Sequence, residues 1–171
     1  KEKSVWQVGF YARFSKGNEL LISVVMCTHN RADLLRGAVQ SVLEQNYPTE
    51  KYELIIVDNN SIDSTRATAE KFLSQNTNVR YILESNVGLS HARNRGWQES
   101  KGKYVGYLDD DAKASSGWLE TARRIIVEFS PQLFGGPYYA FYNSPKPEWL
   151  PETFGSNSMG KDARQLTDNE F

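Results

Sequence analysis

Three adjacent carboxylates, Asp109, Asp110 and Asp111, are the residues of this sequence best suited to chemistry. They directly follow the apolar segment Tyr104 to Leu108, whose composition predicts a buried strand. Carboxylates that are forced together repel one another, so such a group either raises one pKa or recruits a cation. Mg²⁺ and Mn²⁺ prefer hard oxygen ligands and usually bind one or two carboxylates together with substrate phosphates. The triplet alone therefore predicts a cation-binding turn, and its alternative is a solvated acidic turn that caps a helix.

Two further polar groups follow apolar segments in the same way. One runs from Asp58 to Ser61 and the other from Thr28 to Arg31. Aspartate and asparagine at such places can cap the next helix, or they can accept hydrogen bonds from base N–H groups and sugar hydroxyls. His29 has a similar choice between a structural role and a contact with a base. The residues alone leave these alternatives open.

A basic side chain lies in an unusual helix. The segment from about Gly88 to Ser100 carries Arg93 among small residues, which let a helix pack closely. The geometry of a guanidinium group matches that of phosphate, so Arg93 is a candidate for contacting a diphosphate. The alternative is a solvent-facing arginine.

Alternating strands and helices must position these groups. Apolar runs predict strands at residues 20–28, 52–57, 79–83, 104–108 and 133–142, the last of them interrupted by Gly135-Gly136-Pro137. Amphipathic spacing predicts helices at about 34–43, 63–73, 88–100 and 118–129. Repeated strand-helix units predict an α/β fold, with a mostly parallel central sheet and helices on both faces. Ligands bind such sheets beyond the carboxyl ends of the strands, where all three polar groups fall.

Composition narrows the class of protein. The 171 residues carry a formal net charge of −1, which argues against nucleic acid as a partner. We expect an N-terminal extension at 1–19, a central domain at 20–143 and a Pro-rich, polar tail at 144–171 that begins a truncated acceptor region. The one cysteine, Cys27, ends an apolar run and is expected to be buried. A single cysteine suits a reducing compartment, so we expect a cytoplasmic protein, with peripheral attachment at the inner membrane face through missing parts as an option.

Four motifs in this order make the sequence resemble family 2 glycosyltransferases of the GT-A, Rossmann-like fold. They are Ser23-Val24-Val25-Met26-Cys27-Thr28-His29-Asn30-Arg31, Ile55-Ile56-Val57-Asp58-Asn59-Asn60-Ser61, Asn86-x-Gly88-x-x-x-Ala92-Arg93-Asn94-x-Gly96 and Leu108-Asp109-Asp110-Asp111. The resemblance covers about Leu20 to Gly136. It implies inverting transfer of a sugar from a nucleotide-diphospho-sugar, most often UDP-linked, to a saccharide, lipid-linked or other acceptor.

The resemblance also implies roles for individual residues. The donor would be bound by Thr28, His29, Asn30, Arg31, Asp58, Asn59, Asn60, Arg93, Asp109 and Asp110. The triplet would match the family's DXD motif, with Asp111 and Asp109 as ligands of Mn²⁺ or Mg²⁺. The bound metal would offset charge on the departing diphosphate.

The sequence departs from this family at two points. Position 59 is asparagine where the family often has aspartate, and no catalytic base is recognised among Asp162, Asp168 and Glu170 of the tail. One alternative is therefore a non-catalytic nucleotide-sugar-binding module or an inactive fragment. Another is a flavodoxin-like phosphoacceptor switch, which is disfavoured because it needs acidic residues after the first strand. The motifs of P-loop proteins, dinucleotide-binding dehydrogenases, serine hydrolases and zinc sites are absent from the sequence.

Overall fold

The computed structural model describes residues 9–13, 22–142, 145–151 and 154–156. Its strands are β1 (Gly9–Ala12), β2 (Ile22–Thr28), β3 (Tyr52–Asp58), β4 (Val79–Leu83), β5 (Tyr104–Tyr107) and β6 (Leu133–Gly135). Its helices are α1 (Ala32–Leu43), α2 (Thr65–Leu73), α3 (Leu89–Glu99) and α4 (Trp118–Phe129), and a short 3-10 turn lies at Thr49–Lys51. The predicted order of strands and helices in the central part of the chain is confirmed.

Six strands form one mixed sheet in the order β4-β3-β2-β5-β1-β6. The four strands from β4 to β5 are parallel, and β1 pairs antiparallel with β5. The predicted fold class, a mostly parallel sheet flanked by helices, is confirmed. Strand β1 lies within the expected extension at 1–19; the other residues of that extension lie outside the described part of the chain, apart from Arg13.

Helices cover both faces of the sheet because successive side chains of a strand point to opposite sides. In β2, Val24 and Met26 join the larger core beneath α1, α2 and α4, whereas Val25 joins a smaller core beneath α3. Helix α3 approaches the sheet very closely at Gly96, where a Cβ atom would overlap Val25 Cγ1. Both faces of β2 are therefore buried, which accounts for its uninterrupted apolar sequence.

Two expectations need correction. The strand predicted at 133–142, with an interruption at Gly135-Gly136-Pro137, ends at that interruption and does not resume as a strand; a proline has no N–H to donate to a strand ladder. Cys27, expected to be buried, is only half-buried. Burial is still sufficient to raise the pKa of its thiol to about 12.

The chain divides into two compact units with a boundary between residues 134 and 135. Beyond the boundary, the described residues form turns held by local hydrogen bonds: the Ala140 N–H donates to Ser156 Oγ at 2.8 Å, and Lys146 Nζ donates to the Leu150 carbonyl at 2.8 Å. The predicted division at 19/20 and 143/144 stays a prediction. Among the described residues, no helix combines the length and the apolar character that a membrane crossing requires.

Candidate functional site

The three polar groups meet at the carboxyl edge of the parallel sheet. Thr28 and Asp58, the last residues of β2 and β3, lie side by side in the sheet, and the Asn59 N–H donates to the Thr28 carbonyl at 2.8 Å. On the other side of β2, Tyr107 at the end of β5 is in register with Val25. The acidic triplet follows Tyr107 and Leu108. The sequence-based expectation that these groups share one edge is confirmed.

Asp58 and Asn59 are buried and hydrogen-bonded within the protein. Asp58 accepts from the Tyr81 hydroxyl at 2.7 Å and from the Ser61 N–H at 2.9 Å. The Asn59 amide donates to the carbonyls of Glu84 and Asn86 at 3.2 and 2.7 Å, and its Oδ1 accepts from the Gly88 N–H at 2.7 Å. Asn59 thereby connects the end of β3 to the loop from which α3 starts, and α3 carries Arg93.

His29 and Asn30 connect the loop after β2 to the loop after β3. His29 Nδ1 lies 2.6 Å from the Asn59 carbonyl, which can only accept, so Nδ1 carries the proton. His29 Nε2 is then free to accept from the Asn30 amide at 3.0 Å. Asn30 has a positive φ of 54° and accepts from the Ile62 N–H at 2.8 Å. Asn30 makes no side-chain cap on α1; it bridges the two loops instead.

Arg31 contacts two carboxylates of the acidic triplet. Its Nη1 atom lies 3.1 Å from Asp110 Oδ1 and 3.2 Å from Asp111 Oδ2. These two carboxylates raise the pKa of Arg31, the nearby charge of Asp110 being the largest cause. Arg31 therefore holds the loop after β2 against the turn after β5, although the residues are about 80 positions apart in the chain.

Arg93 pairs with the remaining carboxylate. Its Nη2 atom lies 3.2 Å from Asp109 Oδ1, and its guanidinium group lies 6.0 Å from the centre of the Tyr107 ring. Burial raises the pKa of Asp109, and the positive charge of Arg93 partly opposes that rise. Each of the three aspartates therefore has an arginine partner, and the predicted diphosphate contact Arg93 lies beside the predicted metal ligand Asp109.

Comparison with known proteins decides the family. The model of "Glycosyl transferase family 2" matches residues 23–170. The chain belongs to glycosyl transferase family 2. The resemblance stated from the four motifs is thus confirmed over the greater part of the sequence.

Relatives of this family 2 chain are glycosyltransferases. It is 31% identical over 123 residues to glycosyltransferase GlyA of Streptococcus pneumoniae, covering 72% of this chain and 17% of that protein. The chain spans between 17% and 43% of the length of the curated relatives compared with it.

Solved structures show the same fold. The S. aureus TarS 1-349 complex with UDP-GlcNAc has a TM-score of 0.62 at 24% identity, covering 65% of this chain and 32% of that one. The mannosyltransferase PcManGT from Pyrobaculum calidifontis, in complex with GDP-Man and Mn²⁺, has a TM-score of 0.59 at 25% identity, covering 63% of this chain and 32% of that one. These similarities confirm the GT-A fold of the family 2 chain.

The carboxylate oxygens of the triplet suit a hard divalent cation whose remaining coordination positions are filled by a bound ligand. Asp109 and Asp111 are part-exposed, with 44% and 53% of their side chains accessible, so their oxygens can be reached from solvent. Within the described residues no group of three or more His, Cys, Asp or Glu side chains is arranged to hold a metal ion. Two carboxylates with phosphate oxygens as the further ligands remain consistent with Mg²⁺ or Mn²⁺.

Some residues that shape this edge were not expected from the sequence. Asp63 accepts from the N–H groups of Thr65 and Ala32 at 2.9 and 3.2 Å, so one carboxylate satisfies the first turns of both α2 and α1. Asp63 is the first residue of the helix predicted at about 63–73, and no sequence pattern indicated its contact with α1. Tyr81, which binds Asp58, carries no sequence signal beyond its place in a predicted strand. Asn60, the remaining predicted contact, is exposed with a φ of 61°.

Proposed function

We propose that this chain is the donor-binding part of a glycosyltransferase that uses a nucleotide-diphospho-sugar, most often UDP-linked in this family. One observation carries the proposal: Arg31, Arg93 and the acidic triplet converge at the carboxyl edge of the sheet. The arginines offer planar N–H donors that match phosphate oxygens, and the carboxylates offer hard oxygen ligands for a cation. The PcManGT complex with GDP-Man and Mn²⁺ supports the same combination of ligands in a structure of this fold.

The loops after β2 and β3 would bind the nucleoside end of the donor. His29 and Asn30 are exposed at this edge, whereas Thr28, Asp58 and Asn59 are buried. The hydroxyl oxygen of Thr28 is buried and has no hydrogen-bond partner among the described residues. Asp58 and Asn59 would contribute mainly by fixing the two loops, because their side chains already bond within the protein.

Asp111 and Asp109 would hold Mn²⁺ or Mg²⁺ together with the donor's phosphates. The bound ion would stabilise negative charge on the departing nucleoside diphosphate. Arg93, beside Asp109, would add a second positive charge near the same leaving group. All these groups stabilise developing charge without forming a covalent bond to the sugar.

The proposed reaction is an inverting displacement. An acceptor hydroxyl oxygen forms a bond to the anomeric carbon while the bond from that carbon to the diphosphate breaks, and the nucleoside diphosphate leaves with the electron pair. The hydroxyl proton must pass to a base, as a carboxylate could provide. Asp162, Asp168 and Glu170 lie outside the described residues, so no base and no acceptor are assigned.

Thermal unfolding with UDP, GDP and dTDP, each with and without Mn²⁺, tests the proposal. A ligand at about 100 times its dissociation constant adds roughly 2.7 kcal/mol of stability. For a chain of this size that free energy raises the unfolding temperature by about 5–10 °C. We expect a metal-dependent rise with at least one nucleotide, and its absence with all three would refute donor binding.

Asp111→Asn is the matched test of the metal ligand. The substitution keeps the size of the side chain and removes its charge, so the metal-dependent part of the shift should disappear. Glu128→Gln, an exposed carboxylate on α4, removes one negative charge away from the site and should leave the shift unchanged. An equal metal-dependent shift in Asp111→Asn and the wild type would remove Asp111 from the site.

A further inference from the structure

A single nitrogen of Arg31 contacts two carboxylates, one of them buried and the other exposed. Arg31 Nη1 contacts Asp110 at 3.1 Å and Asp111 at 3.2 Å, so a positive charge lies between the two carboxylates. The side chain of Asp110 is 6% exposed and that of Asp111 is 53% exposed. The two ion pairs therefore differ in the free energy that is needed to break them.

The buried pair is the one that must persist. If Arg31 left Asp110, the carboxylate would stay buried without the arginine that pairs with it among the described residues, which is unfavourable. The exposed pair with Asp111 is worth little in water, because solvent can replace the arginine. Arg31 can consequently pivot on Asp110 and exchange only its contact with Asp111.

We propose that Arg31 is a positioning residue that holds Asp111 away from metal until a nucleotide diphosphate binds. This inference rests on the proposed function, since it takes Asp111 as a metal ligand. In the ligand-free protein Arg31 competes with a divalent cation for the Asp111 carboxylate. When a diphosphate reaches the site, Arg31 donates to a phosphate oxygen instead, keeps its contact with Asp110, and releases Asp111.

The consequence is a coupling between two ligands. The nucleotide removes the competitor of the cation, so each ligand binds more tightly in the presence of the other, and by the same factor for both. Attraction between the cation and the diphosphate contributes to this factor in any case. Arg31 adds its own contribution, which disappears when the arginine is removed.

A titration of Mn²⁺ monitored by the electron paramagnetic resonance signal of the free ion measures this coupling without an activity assay. Mn²⁺ affinity is compared with and without whichever of UDP or GDP stabilises the wild-type protein. Arg31→Met removes the guanidinium group at similar side-chain length. Lys113→Met serves as the control, because Lys113 is exposed and only two residues beyond Asp111.

Arg31→Met should bind Mn²⁺ alone about two- to fivefold more tightly than Lys113→Met, the range expected for loss of an exposed ion pair. Nucleotide should then strengthen Mn²⁺ binding by a correspondingly smaller factor in Arg31→Met than in the wild type. Unchanged or weaker binding of Mn²⁺ alone would overturn the proposal. An equal gain in Lys113→Met would also overturn it, because general electrostatics would then explain the result.

The failure of this inference is distinct from failure of the proposed function. If the wild type shows no metal-dependent nucleotide binding, the proposed function fails. If the wild type does show it but Arg31→Met shows no gain in Mn²⁺ affinity, only the role of Arg31 fails.

Arg31→Met leaves the buried Asp110 carboxylate without its arginine partner, so the double variant Arg31→Met with Asp110→Asn is titrated in parallel. It removes both charges of the buried pair and should show the same gain in affinity for Mn²⁺ alone.

Discussion

Asn59→Asp is the substitution that best tests how the site is held together. Asn59 is 4% exposed, donates to two carbonyl oxygens and accepts from one N–H. An ionised aspartate can still accept from Gly88, but it presents a negative oxygen to the carbonyls of Glu84 and Asn86. Loss of two hydrogen bonds costs about 1 kcal/mol each, and the buried charge adds a penalty of at least that size. We expect a loss of about 3–4 kcal/mol in the free energy of unfolding at pH 7.

Urea unfolding of Asn59→Asp and of the matched variant Asn60→Asp measures this loss. Asn60 is the exposed neighbour with a positive φ, a conformation that aspartate also tolerates, so its substitution should change stability by less than about 0.5 kcal/mol. The lower stability of Asn59→Asp should correspond to a fall of roughly 6–16 °C in the unfolding temperature. Equal stability of the two variants would refute the assignment of Asn59 as a buried link between β3 and the loop before α3.

Two further predictions concern packing and thiol reactivity. Gly96→Ala should destabilise the protein by about 1–3 kcal/mol in urea unfolding, because the added Cβ would overlap Val25. The control Gly37→Ala in α1 has room for a Cβ atom and should stabilise the protein by up to about 1 kcal/mol. A stabilised Gly96→Ala variant would contradict the close packing of α3. Burial raises the pKa of Cys27 to about 12, so the thiol stays protonated at pH 7–8. It should therefore react with a disulfide reagent far more slowly in the folded protein than in urea. Equal reaction rates in the two conditions would contradict the burial of this thiol.

The edge of the sheet could be predicted from the sequence because it depends on short-range patterns. Apolar runs predicted β2, β3, β4 and β5. The site was predicted from the polar residues that follow β2 and β3 directly and β5 after one further residue. Parallel strands bring their carboxyl ends together whatever the loops do. The antiparallel pairing of β1 with β5 depends on neighbours that local spacing does not specify.

Roles within the site were harder to predict because partners come from distant loops. The sequence placed Asn30 as a cap or a ligand contact, but the fold uses it to accept from Ile62, and it uses Asp63 to satisfy α1. Both contacts join segments about 31–32 residues apart. Whether a polar side chain faces a ligand or a neighbouring loop depends on loop conformations that no local pattern encodes.

The acidic triplet shows where the two kinds of information divide. The sequence by itself determined that three carboxylates follow a buried strand at the ligand-binding edge of an α/β sheet, since hydrophobic periodicity and residue type are local properties. Only the tertiary structure decided that Arg31 forms ion pairs with Asp110 and Asp111 and that Arg93 forms one with Asp109. Charges attract whichever partner the fold brings within reach, and here the fold brings together arginines that lie up to 80 residues away in the chain.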